Sequence, residues 1–386
     1  MNIDFKRPIP LYKQITEALR EDIASGRLPV GSQVASHQEL AKRYAVSLIT
    51  VKRALADLIN EGILFGRAGK GTFVMKQPSQ QPQPLQNAIG LVLKDIKSPF
   101  FSLIVHSVEE HVSQRGYHLL LSNTGLQLDK EESQIRQFVN LGVSGLIIAS
   151  MTHEHTTSDA LRELDEKQFP FIMVSYINDP DIHFVGTDHE EGGFLATEHL
   201  IKTGYRRIGY VSGESGKEVG ELRRKGYLRA LAANHIPPDG LCQFHLRLRG
   251  EWHDYNSGYE IGKQFLAVTN KAEAMFIYND LSALGFEQAL FDGGLRVPED
   301  VAIVGFDDIE RGQYAPSPLT TMKQPTSEIG ALAVENLIKL IEDVPVPTRV
   351  ILKPMLVVRE SCGSKAKTRR ENAPLNDAPL PEEFFT

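Results

Sequence analysis

From Asn87 onward the chain alternates short apolar runs with amphipathic stretches, and few folds satisfy that pattern. Residues 89–93, 117–122, 145–149 and 171–175 read as buried strands, with helical stretches at 103–115 and 131–140 between them. A second series follows: helix 190–203, strand 208–211, helix 222–235, strand 244–248, helix 257–268, and strands 274–278 and 301–304. Short apolar strands alternating with helices make parallel sheets covered on both faces. About ten such strands exceed one small unit, so two doubly wound α/β lobes are expected. Ligands of such sheets bind at the carboxyl ends of the strands, here between the lobes.

The first 76 residues differ from the rest in charge. They carry twelve Lys/Arg against seven Asp/Glu, whereas the remaining 310 carry 30 against 42, within a chain of net charge −7. A basic head on an acidic body implies that the head meets a polyanion and the body does not. Between them, residues 77–86 hold three prolines and five glutamines and little to bury, the composition of a semi-extended linker. Residues 363–386 read as a poorly ordered, solvated tail. Cys242 and Cys362 form neither a disulfide framework nor a zinc site and read as reduced thiols. No apolar run approaches the ~20 residues of a membrane span, and no secretory signal is expected.

The head divides further. In residues 10–25, Leu11, Ile15, Leu19 and Ile23 recur every four residues, and Gly26 stops the helix. A short helix is expected from about Gln38 to Tyr44, capped by Ser36. After a tight turn at Ala45-Val46, a third is expected from Ser47 to about Glu61. Residues 63–66 and 71–74 can pair as strands around Arg67-Ala68-Gly69-Lys70. Three helices and a hairpin are the layout of a winged helix-turn-helix, whose third helix lies in the major groove of DNA. The candidate DNA-binding residues are Ser36 and His37 at the second helix, Ser47, Leu48, Thr50 and Lys52 at the third, and Arg67, Gly69 and Lys70 at the wing tip. A small helical domain for protein contacts would leave the basic excess unexplained.

Pro10-Leu11-Tyr12-Lys13-Gln14-Ile15, Glu39-Leu40-Ala41, Thr50-Val51, Ala54-Leu55 and Gly69-Lys70-Gly71-Thr72-Phe73-Val74 closely resemble the GntR-type winged helix of bacterial regulators, over residues 8–75. Two departures stand out. Ala35-Ser36-His37 replaces the usual Pro-Ser-Glu, and Leu48 replaces an arginine that usually follows the serine of the third helix. Losing that arginine removes a phosphate or guanine contact, and leucine offers an apolar group to a thymine methyl instead.

The body, over residues 87–362, resembles the effector domain of the lactose/galactose-repressor family, itself similar to periplasmic sugar-binding proteins. The resemblance is carried by Ser98-Pro99-Phe100-Phe101, Ala196-Thr197-Glu198-His199-Leu200, Asn279-Asp280, Val297-Pro298-Glu299-Asp300, Val304-Gly305-Phe306-Asp307-Asp308, Pro318-Leu319-Thr320-Thr321 and Gln324-Pro325. A site for a polyol needs carboxylates, amides, a forked arginine and aromatic faces. The resemblance implies Phe100, Phe101 and Trp252 stacked on ring faces, and Arg223, Asn279, Asp307 and Gln324 bonded to hydroxyls. Asp188 or Glu191 would join them from the lobe crossover. Plainer roles compete: core packing for the aromatics, a solvated helix face for Arg223, a helix cap for Asp307. The fusion of head and body resembles the arabinose repressors of Gram-positive bacteria.

Other chemistry finds no carrier. Gly213-Glu214-Ser215-Gly216-Lys217 fails the spacing of a phosphate loop, and Glu218 stands where a hydroxyl is needed. His153-Glu154-His155 is poorly arranged for one metal ion. No nucleophile is paired with a base. The expectation is a cytoplasmic, homodimeric, non-enzymatic repressor that binds operator DNA under the control of a small molecule, a sugar by the resemblance. It needs no cofactor, metal or membrane. The rival is a sugar-binding receptor of a transport system. The Gln/Pro linker looks incapable of the minor-groove helix found in lactose-type repressors, so coupling is expected to act through the spacing of two heads.

Overall fold

The computed structural model describes residues 10–67, 71–75, 85, 87–150, 157–174, 176–177, 179–213, 218–238, 240, 242–246 and 254–364. Most of the expected linker, the wing tip, His153-Glu154-His155, Trp252 and the tail beyond 364 lie outside these residues. The chain divides into two compact units, residues 1–86 and 87–386.

In the first unit, α1 (Leu11–Ala24) turns Ile15, Ala18, Leu19 and Ile23 inward. They share one core with Val51, Ala54, Leu55 and Leu58 of α3 (Leu48–Asn60) and with Leu40 and Tyr44 of α2 (His37–Tyr44). Sequence chemistry sets the helix starts. The Ser36 hydroxyl accepts from the Glu39 N–H, and the Glu39 carboxylate accepts from the Ser36 N–H, which closes a capping box. Ser47 caps α3 by accepting from the Thr50 N–H. Ala45, at φ 52°, makes the turn between the two helices. Strands β1 (Leu64–Arg67) and β2 (Gly71–Val74) pair antiparallel as the hairpin.

The second unit has two lobes, each built on a six-stranded sheet. The first lobe holds β3 (Ala88–Leu93), α4 (Pro99–Gln114), β4 (His118–Asn123), α5 (Leu128–Leu141), β5 (Gly145–Ala149), α6 (Asp159–Glu166), β6 (Phe171–Met173) and β7 (Phe184–Thr187). The chain then crosses to the second lobe through α7 (His189–Lys202), β8 (Ile208–Ser212), α8 (Glu218–Ala233), β9 (Gln243–His245), α9 (Asp254–Leu266), β10 (Ala274–Ile277), α10 (Asp280–Asp292), β11 (Ala302–Asp307) and β12 (Thr320–Lys323). It returns through α11 (Thr326–Ile341) and β13 (Arg349–Leu352) and crosses once more into β14 (Met355–Val357). Strand order is β13-β7-β6-β5-β3-β4 in one sheet and β14-β12-β11-β10-β8-β9 in the other.

All pairings in these two sheets are parallel except β14 against β12. Alternation along the strands fills a core on each face. In β3, Ile89, Leu91 and Leu93 face α4 and α11, whereas Ala88 and Val92 face the side of α5 and α6. In β10, Met275 and Ile277 face α9 and α10, and Ala274 and Phe276 face α7 and α8. No helix among the described residues is long and apolar enough to cross a membrane.

Candidate functional site

Polar side chains at the carboxyl ends of both sheets meet at the crossovers. Thr187, the last residue of β7, donates to Gln324 Oε1 (2.6 Å). Gln324, just past β12, donates from Nε2 to Asp307 Oδ1 (2.7 Å). Asp307 ends β11, and its Oδ1 lies 3.7 Å from Arg223 Nη2. Arg223, on α8, donates from Nη1 to the Tyr278 carbonyl, and its Nη2 is 3.4 Å from His189 Nδ1. Hydrogen bonds and one 3.7 Å ion pair thus join the first two crossovers to the ends of β7 and β11.

Arg223 is only 3% exposed. Its guanidinium carbon stands 3.6 Å from the centroid of the Phe306 ring and 4.8 Å from that of Tyr278. A buried cation is tolerated where a carboxylate and aromatic faces receive it. Its Nε has no hydrogen-bond partner among the described residues. Burial pushes the Asp307 carboxyl up, helped by Asp280 and Asp254 and opposed by Arg223 and the Gln324 hydrogen bond. Burial, then Arg223 and Lys94, hold His189 well below the ordinary histidine range, so it is neutral and its Nδ1 can accept from Arg223. Asp307 also sits at φ 125°, where a side chain is strained, a conformation that functional sites retain at a cost. Beside this network lies a cavity of about 340 Å³ between the lobes. Tyr176 and Arg349 line it from the first lobe, Leu222 from the second, and Thr187, Asp188 and His189 from the first crossover.

The structure brings Arg223, Asp307 and Gln324 of the expected set together. Asn279 follows Tyr278 but is engaged locally: its Oδ1 accepts from the Ser282 N–H, which caps α10, and its Nδ2 donates to Asp254 (2.5 Å). Asp188 caps α7 by accepting from the Glu191 N–H (2.9 Å), and Glu191 pairs with Arg229. Phe100 and Phe101 open α4 with their rings edge-on, 5.0 Å apart. Phe101 belongs to the first lobe's core, with Lys94 5.2 Å from its ring. Sequence reasoning missed Thr187, His189 and Tyr278. The available signal was adjacency, since each stands next to a position that was chosen or next in line to one.

On the first unit, Ser36, His37, Ser47, Leu48, Lys52 and Arg67 are exposed and Thr50 is half-buried, while Gly69 and Lys70 are outside the described residues. Arg67 lies over Phe65 and Phe73 of the hairpin, at 5.3 and 5.6 Å. Arg53 stacks on Tyr12 at 4.1 Å.

Comparison with known proteins places both units. Residues 11–74 match the model of bacterial regulatory proteins of the gntR family, and residues 197–362 match that of a periplasmic binding protein-like domain. The chain belongs to the bacterial transcriptional repressors that join these two parts, which are regulators and not enzymes. In particular, it is 31% identical over 365 residues to the arabinose metabolism transcriptional repressor of Geobacillus stearothermophilus, covering 92% of this chain and 98% of that protein. A LacI family transcriptional regulator from Enterococcus faecium, solved with bound ribose, is 29% identical, with 71% of this chain and 98% of that one covered and a TM-score of 0.62. The lac repressor dimer, solved on its operator with an anti-inducer, is 26% identical, with 71% and 93% covered and a TM-score of 0.63.

Proposed function

We propose that this cytoplasmic protein binds operator DNA as a homodimer through residues 1–76 and that a sugar bound between the lobes of residues 87–362 sets the affinity. Residues 77–86 join the two parts in sequence. The observation that carries the effector reading is the buried Arg223–Asp307–Gln324 chain at the lobe crossovers, with an arginine nitrogen unpartnered among the described residues. A hydroxyl-rich ligand supplies paired donors and acceptors for such groups. Phe100, Trp252, Asn279 and Asp188 complete the proposed site. Ligand binding shifts the arrangement of the lobes and so of the two heads. Two heads on one palindromic operator gain by effective concentration, and losing that geometry costs ~10²–10⁴ in affinity. A transport receptor has no use for the winged helix of residues 11–74.

The test is a melting-temperature screen of the full chain against pentoses, hexoses and their phosphates, beside a gel shift on the gene's upstream DNA. One sugar class is expected to raise the melting point and to change operator retention. Arg223→Ala should abolish the melting shift and leave operator binding in place. Asp307 can take up a proton once the guanidinium is gone, so the variant folds. Sugar-induced stabilisation unchanged in Arg223→Ala would remove the site assignment.

A further inference from the structure

The first turn of α3 carries chemistry that the repressor reading does not use. Val51, Ala54, Leu55 and Leu58 face the head's core, and Leu48, Ile49 and Lys52 are exposed. Two of them are large and apolar: Leu48 is 45% exposed and Ile49 79%. Single apolar side chains on a surface are ordinary. These two are adjacent, on the turn that a winged helix lays into the major groove.

The polar groups of the same turn are already engaged. Ser47 Oγ accepts from the Thr50 N–H (3.2 Å) and bonds Thr50 Oγ1 (2.8 Å), so the two hydroxyls serve the helix cap and each other. Arg53, one turn on, is stacked on Tyr12, and its Nη2 is 3.5 Å from the Tyr12 hydroxyl. Guanine is read by arginine or lysine and adenine by an amide, and residues 47–50 contain none of these. The major groove offers one apolar group, the C5 methyl of thymine. Lys52, exposed and close in the same helix, offers a cation to a phosphate or to a guanine edge.

We propose that Leu48 and Ile49 are specificity-determining residues that pack against thymine C5 methyls, so that α3 reads part of the operator by apolar contact. The inference rests on operator binding by the first unit and names what that unit reads.

The experiment uses the full chain and synthetic duplexes. High-affinity sequences are selected from a randomised pool, and each thymine is then replaced in turn by deoxyuridine, which lacks only the methyl. Affinities are measured by fluorescence anisotropy for wild type, Leu48→Ala, Ile49→Ala and Lys52→Ala. Ile49 is largely in solvent, Leu48 is nearly half exposed, and neither belongs to the head's core, so their alanine variants keep it. At one or two thymines per half-site, wild type should bind the uracil duplex about fourfold more weakly, the effect of one methyl's burial. Leu48→Ala or Ile49→Ala should bind the thymine and uracil forms of that position equally. Lys52→Ala should weaken both forms alike and flatten the salt dependence. The proposal is overturned if no thymine shows the effect in wild type, or if the effect persists in both alanine variants. Failure to select any duplex would remove the DNA-binding reading itself, and this proposal with it.

Discussion

Carboxyl groups taken out of water resist ionising unless something nearby favours the charge. Asp307 has Arg223 beside it, so its charged form has a use in the site. Glu287, on α10, pairs with no cation among the described residues. Its Oε1 accepts from the Ser317 N–H (2.9 Å), and burial pushes its carboxyl up to about 7 against that hydrogen bond. The folded chain therefore holds this proton more tightly than the unfolded chain, whose value is near 4.5. Between those two values the folded state binds more protons, so stability falls as pH rises across that window. Glu287→Gln keeps an acceptor for Ser317 and removes the charge. Urea unfolding should give a variant close to wild type near pH 4.5 and more stable by about 1–3 kcal/mol at pH 8. An equal difference at both pH values would mean that ionisation of Glu287 is not the cause.

At the scale of elements, close helix packing puts Arg223 where it is. A Cβ added at Gly193 of α7 would fall inside contact distance of the Arg223 carbonyl oxygen, and one at Gly226 of α8 would meet the Glu190 carbonyl. The pair α9 and α10 repeats the device, with Gly258 against Ser282 and Gly285 against Tyr255. Gly193→Ala must push α8 away and carry the guanidinium off the Phe306 ring. Stability should fall by about 3 kcal/mol and effector affinity at least tenfold, read by urea melts and effector titration. A stability loss with effector affinity intact would place Arg223 outside the binding step. None of this packing was visible in the sequence, where these glycines sit inside ordinary amphipathic stretches. The sheets were more legible: strands 89–93, 145–149, 208–211, 274–278 and 301–304 all lie in the structure's β3, β5, β8, β10 and β11 within a residue or two. β7, β12, β13 and β14 were not read: each has only three or four residues, and β7 and β12 mix apolar side chains with small or polar ones. α10 was not read either, since it is buried on most sides and lacks a polar face to set its phase. The expected parallel sheets are present, and one edge adds a strand the sequence did not reveal, β14, which returns antiparallel to β12 after the last crossover. The site followed the same rule. Arg223, Asp307 and Gln324 came from residue chemistry and resemblance, while the φ of Asp307 and the neutral His189 beneath the arginine depend on tertiary burial.

At the scale of the whole molecule, the two units have separate hydrophobic cores. The first runs from Ile15 to Val74, and no residue of it belongs to the cores of the lobes. In a repressor whose effector acts only by rearranging two heads on one operator, the effector has no differential interaction with an isolated head. Coupling free energy then exists only when DNA engages both heads. Calorimetry of the full chain without DNA should show separate transitions for head and body. Effector at a hundredfold excess over its dissociation constant stabilises the state it binds by about 2.7 kcal/mol. That should raise the body's transition by ~5–10 °C and leave the head's unchanged. Operator DNA alone should raise the head's transition, and adding an effector that weakens operator binding should bring it back down by linkage. An effector-induced shift of the head's transition in the absence of DNA would show a direct path between the units and remove head spacing as the means of control.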